Sequence, residues 1–410
     1  MKNTIKLTAA QAETLGIEAE RLEWLDAYLQ RMIDDKKHPF ESFRVWRKET
    51  LIFSGDYGTQ TPNGEPLRAD AIYPLQSATK PVLAACAAIL QEEGRVNFFD
   101  KLQDHFPEFE GENKDYVLLW HLLSHSSGMD GDDNDKFITE YREKETGKIW
   151  SEIQDNDERL DAMMSLRPKL GLPEAERNWY AANEAERMII FKKAPLTALP
   201  GTRFSYWSTG YSLWKEIIER ITGDTLEAYA RRKIFEPLGM HDTHWALPKE
   251  KYDRRVIRAD GFKGAPWIDD ENAMNSTSAS GGLKSTMDDM AKFGLMFLNG
   301  GRYNGKRVMS PASVKLLTRN HNNGIPSSFW FGRMLTSSWG LGWDIKEDKI
   351  DDTGMLHSPS SYNHGGFGGA KLLVDPEYDL VLSMYMCEQS EFSIFDDLNC
   401  AVDILYGALD

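Results

Sequence analysis

Cysteine is scarce in this chain: Cys86, Cys387 and Cys400 are all there is among 410 residues. Three thiols make no disulfide framework at this length, and so low a count suits a reducing compartment. Cys86 falls inside an apolar helical pattern and reads as core. Nowhere do the roughly 18 consecutive apolar residues of a membrane-crossing helix occur. The opening Met1-Lys2-Asn3-Thr4-Ile5-Lys6 lacks an apolar signal segment. Together these absences lead us to expect a cytoplasmic protein with no membrane partner. Positive charge is also in deficit, 48 Lys and Arg against 64 Asp and Glu, a formal net charge of -16. Such a balance argues against nucleic acid or an anionic membrane as partner and for a well-solvated acidic surface.

Several catalytic signatures are missing as well. No Gly-x-Ser-x-Gly elbow is present, which weakens an α/β-hydrolase reading. Neither a phosphate-binding Gly-x-x-x-x-Gly-Lys-Ser/Thr nor a Gly-x-Gly-x-x-Gly stands between a strand and a helix. His121 and His125 are four apart, but the Glu of His-Glu-x-x-His and a third ligand are lacking, and the cysteines have no zinc spacing. We therefore expect neither a metal nor a cofactor.

What is present is a packed chain with 12 Trp, long enough for one large domain. Leu22, Leu25, Leu29 and Met32–Ile33 recur at helical spacing within residues 18–33. Residues 43–46 and 50–53 alternate around Arg47-Lys48-Glu49 and predict a hairpin. A helix with Val82, Leu83, Cys86, Ile89 and Leu90 on one side follows Ser77 and stops at Gly94. Its start is fixed by Pro81, whose missing N–H would otherwise bond the Ser77 carbonyl. A short helix over 120–125 runs into a Ser126-Ser127-Gly128 turn, and another spans 212–221. Residues 235–240 read as a turn, Ala279 to Gly282 as a small, Gly-rich stretch, and Ser285 or Thr286 as a helix cap. Strands are predicted over 369–374 and 380–387, then a last helix over 393–406.

The economical architecture is α+β: an antiparallel sheet built from both chain ends, flanked by the first and last helices, with an inserted, mostly helical part. We read one domain over 1–410, its α/β portion about 1–110 and 280–410 and its helical portion about 111–279. Within the latter, residues 130–199 are charged and helix-prone. They form an insertion that either walls a pocket or lies remote from it.

Chemistry enters with Ser77-Ala78-Thr79-Lys80. Residues three apart at a helix start share a face, so the lysine amine can take the serine proton. Ser212-Leu213-Trp214-Lys215 repeats the spacing, so the motif alone is weak. Order separates the two: Tyr206-Trp207-Ser208 follows Ser77 by about 130 residues, and His364-Gly365-Gly366 stands in the C-terminal strand region. Flanking them are Leu122-Leu123-Ser124-His125-Ser126-Ser127-Gly128-Met129, Pro200-Gly201-Thr202-Arg203-Phe204, Gly281-Gly282-Leu283-Lys284-Ser285-Thr286-Met287-Asp288-Asp289 and Gly340-Leu341-Gly342-Trp343.

From about Ile72 to Met386 this arrangement resembles the serine β-lactamase-like superfamily, nearest its class C β-lactamase, D-alanyl-D-alanine carboxypeptidase and esterase branch. The resemblance implies a β-lactamase/transpeptidase-like fold, Ser77 as nucleophile, and Lys80 with Tyr206 as the proton-transfer pair. It also implies substrate contacts at Ser208, His364, Gly366 and Phe367, with the Ser77 and Phe367 N–H groups holding an oxyanion, and a structural role for Lys215. Two positions depart from the pattern. Ser208 stands where many relatives have Asn, which puts recognition of an amide side chain in question. His364 stands where penicillin-directed members usually have Lys, and a histidine only partly charged at neutral pH holds a carboxylate less firmly.

The expected activity is hydrolysis of a carboxylic ester or small amide, the small-molecule substrate being the one partner foreseen. A D-amino-acid-directed peptidase or β-lactamase is the alternative on the same fold, and a non-catalytic scaffold the alternative of another class. The sequence carries no sign of the oligomeric state.

Overall fold

Lys48 and Glu49 both adopt left-handed backbone, φ 47° and 59°, which closes the first hairpin with the tight two-residue turn that matches strand twist. The computed structural model describes residues 7–258, 266–327, 337–388 and 395–410. In chain order, helix α1 (Ala19–Asp34) leads into strands β1 (Phe40–Arg47) and β2 (Thr50–Gly58), and α2 (Lys80–Glu92) follows. Then come α3 (Gly131–Thr146), α4 (Asn156–Met164), α5 (Trp179–Lys192), α6 (Thr209–Thr222) and α7 (Met287–Leu298). The chain ends with β3 (Asp344–Ile345), β4 (Tyr362–Gly366), β5 (Ala370–Asp375), β6 (Leu380–Met386) and α8 (Phe395–Tyr406).

The six strands form one sheet in the order β2-β1-β6-β5-β4-β3, antiparallel throughout. Period-2 alternation sorts β6 between two cores. Leu380, Leu382, Met384 and Met386 meet Leu25, Leu29, Leu398 and Val402 of α1 and α8. Val381 and Tyr385 face the other way, into the larger core that holds α2 and α7. The expected α+β layering is therefore present, and no helix among the described residues is long and apolar enough to cross a membrane.

Several elements differ from their sequence reading. The hairpin strands reach Phe40 and Gly58, well past 43–46 and 50–53. Helix α2 has no polar side: Val82 to Leu90 is buried all round, because Ala at 84, 85, 87 and 88 lets neighbours close over every face. Residues 231–238 are helical, and the turn expected over 235–240 is confined to Gly239, φ 68°. Helix α6 begins at Thr209, so Lys215 lies inside it. The expected start of the last helix at Ser393 lies outside the described residues.

The insertion is helical, as α3, α4 and α5, and its ends meet. Thr197 N–H donates to the Gly128 carbonyl at 2.9 Å and Gly201 N–H to that of Ser126 at 2.7 Å. A side chain at Gly128 would strike the Ala198 carbonyl, 2.2 Å from the position of a Cβ. Ends so close let a long excursion be accommodated at little cost to the fold around it. The insertion walls a cleft of about 730 Å³ whose lining includes Asp135, Arg187, Trp207, Lys215 and Ser278.

One contact fixes the sheet against the turn that carries Ser77. Gly366, last in β4, lies so near Leu75 that a Cβ there would be 1.9 Å from the Leu75 carbonyl oxygen. Backbone cannot yield as a flexible side chain does, so Gly366→Ala is expected to destabilise the fold by about 1–3 kcal/mol. Chemical denaturation measures this, and a variant as stable as the parent would contradict the close approach.

Candidate active site

Strain precedes the nucleophile position. Gln76 is left-handed at φ 45°, which is uncommon for a residue with a side chain, and it opens a single 3-10 turn, Gln76–Thr79, that presents Ser77 at the foot of α2. The turn is stitched to the small Gly-rich stretch: Leu75 N–H donates to Leu283 O at 2.9 Å, and Leu283 N–H donates to Thr79 Oγ1 at 3.1 Å. Lys80 begins α2, and its N–H donates to the Ser77 carbonyl. Pro81 follows in the first helical turn, where its missing N–H costs nothing.

Lys80 is completely buried, 0% exposed. Its Nζ lies 2.8 Å from Ser77 Oγ and donates to the Ser280 carbonyl at 3.1 Å. The Tyr206 and Tyr211 rings lie beneath it, 4.8 and 5.5 Å from Nζ to the centroids. Burial pushes the amine down to about 7, because no carboxylate accompanies it to offset desolvation. Burial pushes the Tyr206 phenol well above its usual range, against the opposing pull of its hydrogen bond with Ser77. Near neutral pH a substantial fraction of Lys80 is therefore free amine while Tyr206 keeps its proton.

His364 enters from β4, buried, with its ring 6.3 Å from that of Tyr206. Its Nδ1–H donates to the Gly365 carbonyl at 2.8 Å. That leaves Nε2 as a bare acceptor, buried without a hydrogen-bond partner among the described residues. Burial, joined by the neighbouring Lys80, holds its pKa down at about 3. The partial cation expected at this position is therefore a neutral ring. Phe367 follows Gly366 directly, inside the turn closed by Gly369 N–H to Gly366 O at 3.0 Å, and its ring packs on Ile268.

Ser77, Lys80, Tyr206 and His364 are brought together, with Gly366 and Phe367 at the junction of β4 with the Ser77 turn. Ser208 is exposed at the N-terminus of α6, where its carbonyl accepts Tyr211 N–H at 3.0 Å and its side chain does not cap the helix. The repeated spacing at Ser212 resolves as well, since Lys215 pairs with Glu219 at 2.9 Å on the same helix. His121 and His125 each have Nδ1 occupied by a backbone N–H, from Leu118 at 2.9 Å and Trp207 at 3.0 Å.

Sequence reasoning missed Gln76, Ser280 and Trp339. Trp339 meets the rings of Tyr206 and His364 at 5.8 and 5.7 Å. Its position just before the Gly340-Leu341-Gly342-Trp343 signature was the available signal. Ser280 acts through its carbonyl, which no residue type announces.

Known proteins share this fold. The sequence profile of the family described as Beta-lactamase matches residues 25–398. A Salmonella paratyphi B protein, named provisionally as a D-alanyl-D-alanine carboxypeptidase, is 24% identical across 90% of this chain and 83% of its own. A solved penicillin-binding protein homologue from Caulobacter crescentus superposes with a TM-score of 0.69 at 20% identity, over 96% of this chain and 99% of the other. A solved family VIII carboxylesterase gives 0.68 at 18%, again over 96% and 99%. At such identities the solved structures speak to the fold, and the profile, which spans nearly the whole chain, speaks to descent. This chain belongs to the beta-lactamase family, the serine hydrolases that include β-lactamases, penicillin-binding proteins and esterases.

Proposed function

We propose that the protein hydrolyses a carboxylic ester or small amide through an acyl-enzyme on Ser77. The observation that carries this reading is the fully buried Lys80 amine, 2.8 Å from Ser77 Oγ and held down at about 7 by its burial. A serine hydroxyl needs an adjacent base, and a base works best with a pKa near the operating pH. In acylation, Lys80 takes the Ser77 proton as Oγ bonds to the substrate carbonyl carbon. The oxyanion that forms is held by the N–H groups of Ser77 and Phe367. As the tetrahedral intermediate collapses, the bond to the leaving group breaks, Tyr206 gives that group its proton, and the Lys80 ammonium reprotonates Tyr206. Water repeats the sequence on the acyl-enzyme and restores Ser77.

On the substrate side, a neutral His364 with a bare Nε2 offers a hydrogen-bond acceptor and no charge. A free carboxylate would find no cation in that ring, which favours neutral esters or amides over β-lactams and D-alanyl peptides. The peptidase or β-lactamase reading draws on the names of relatives, and the scaffold reading draws on no observation.

Three outcomes test the proposal. Burst kinetics with a nitrophenyl ester should show an acyl-enzyme, and Ser77→Ala should lower turnover by at least ~10³-fold; an unchanged rate sinks the assignment. The value of kcat/KM for a neutral ester should rise with pH through about 7 and then level off. The sign follows because the base is the deprotonated amine, whereas the Tyr206 proton persists far above that range; a rate that falls over this span contradicts the roles given to the pair. Nitrocefin turnover should be slow, and His364→Lys, which restores a cation, should raise it ~10-fold without a matching gain for the ester. Equal effects on both substrates would remove His364 from recognition.

A further inference from the structure

A single residue holds the segment that carries Tyr206 from both sides. The His125 carbonyl accepts Ser205 N–H at 2.8 Å, and its ring Nδ1 accepts Trp207 N–H at 3.0 Å. The residues immediately before and after the tyrosine are thus bonded to one histidine, once through main chain and once through side chain. The His125 ring also lies against Tyr206, centroids 4.4 Å apart and planes 32° from parallel.

The histidine is itself over-determined. Its backbone is left-handed at φ 56°, a strained conformation for a residue with a side chain that persists only where the surroundings hold it. The ring is buried, with Tyr211 and Trp339 each 5.4 Å away between centroids. Because Nδ1 accepts from Trp207, the proton of the neutral ring sits on Nε2, which is buried without a hydrogen-bond partner among the described residues. A residue needed only to fill space would have no use for this tautomer or this backbone.

We infer that His125 is a positioning residue for the proposed reaction: its carbonyl and Nδ1 together set Tyr206 against Ser77 and Lys80. This rests on the reading of Tyr206 as a proton-transfer partner. The required feature is an acceptor at the Nδ1 position. Asparagine supplies one there through Oδ1 and tolerates left-handed backbone. Glutamine has the same amide but carries it one atom further, nearer the Nε2 position.

Comparison of His125→Asn with His125→Gln separates this role from packing. The acylation rate constant would be read from the nitrophenyl ester burst, the substrate dissociation constant from its concentration dependence, and folding from thermal melts. His125→Asn should retain the acylation rate within ~5-fold, whereas His125→Gln should lose ~100-fold with unchanged substrate affinity, the penalty of a misplaced catalytic group. Equal losses in the two variants, no loss in His125→Gln, or a loss confined to substrate affinity would overturn the inference. The parental protein supplies a second measurement should His125→Gln fail to fold. Nitrogen-15 spectra of its histidines between about pH 6 and 8 should show His125 neutral with Nδ1 unprotonated, and an Nδ1–H tautomer would refute the clamp. Failure of the acyl-enzyme reading is told apart by Ser77→Ala: a burst that survives there rejects that reading whatever the His125 variants do.

Discussion

The structure is built around one buried amine. Lys80 has no exposed surface, and no carboxylate is among the causes acting on its pKa. At and below pH 7, holding its pKa near 7 instead of 10.5 costs the fold roughly 4–5 kcal/mol. The sign follows from proton counts: between those two values the unfolded chain binds the proton and the native chain does not, so the penalty fades as pH rises through that window. Such a cost is a sizeable part of a domain's net stability. It is offset by the rest of the larger core, into which α2 is sunk on every side. The Ser77 hydroxyl, the Ser280 carbonyl and two tyrosine rings are the company the amine retains.

The surrounding elements are arranged by that burial. The Ser77 turn is tied to the 280–283 stretch, and β4 presses Gly366 against Leu75. Helix α6 supplies Tyr211, whose hydroxyl donates to the Leu123 carbonyl at 2.9 Å while its ring lies under Lys80. The insertion adds a cleft wall without disturbing this frame, since its ends are bonded together, and Asp130 at the N-cap of α3 accepts from Ser205 Oγ at 2.7 Å. The Tyr206 segment is therefore bonded to the His125 turn on one side and to the insertion on the other.

Much of this was legible in the sequence because it follows local rules. Helical spacing gave α1, alternation gave the β1–β2 hairpin, and Pro81 marked the start of α2 beside the Ser77–Lys80 pair. What could not be read depends on packing between distant residues. The place of β1 beside β6 joins Phe43 to Met384 across the length of the chain. The neutral state of His364 follows from burial and from a neighbouring amine, so residue type alone suggested a partial cation. Ser208, expected as a substrate contact from the resemblance, lies exposed immediately before α6. His125 drew notice as one of two histidines four apart, and its bonds to both neighbours of Tyr206 appear only when the 125 turn and the 205–207 segment meet.

The protonation state of Lys80 is the point on which the chemistry turns, and it can be titrated directly. With lysine ε-carbons labelled with carbon-13, three depressed midpoints are expected among the described lysines: Lys80 and Lys284 about 7 and Lys114 about 8. Phosphonylation of Ser77 should shift the Lys80 resonance and so identify it. A resonance that responds to Ser77 and titrates about 7 is what the account predicts. If the resonance that responds to Ser77 instead titrates at the ordinary lysine value of about 10.4, the amine is charged at neutral pH and Lys80 is not the base.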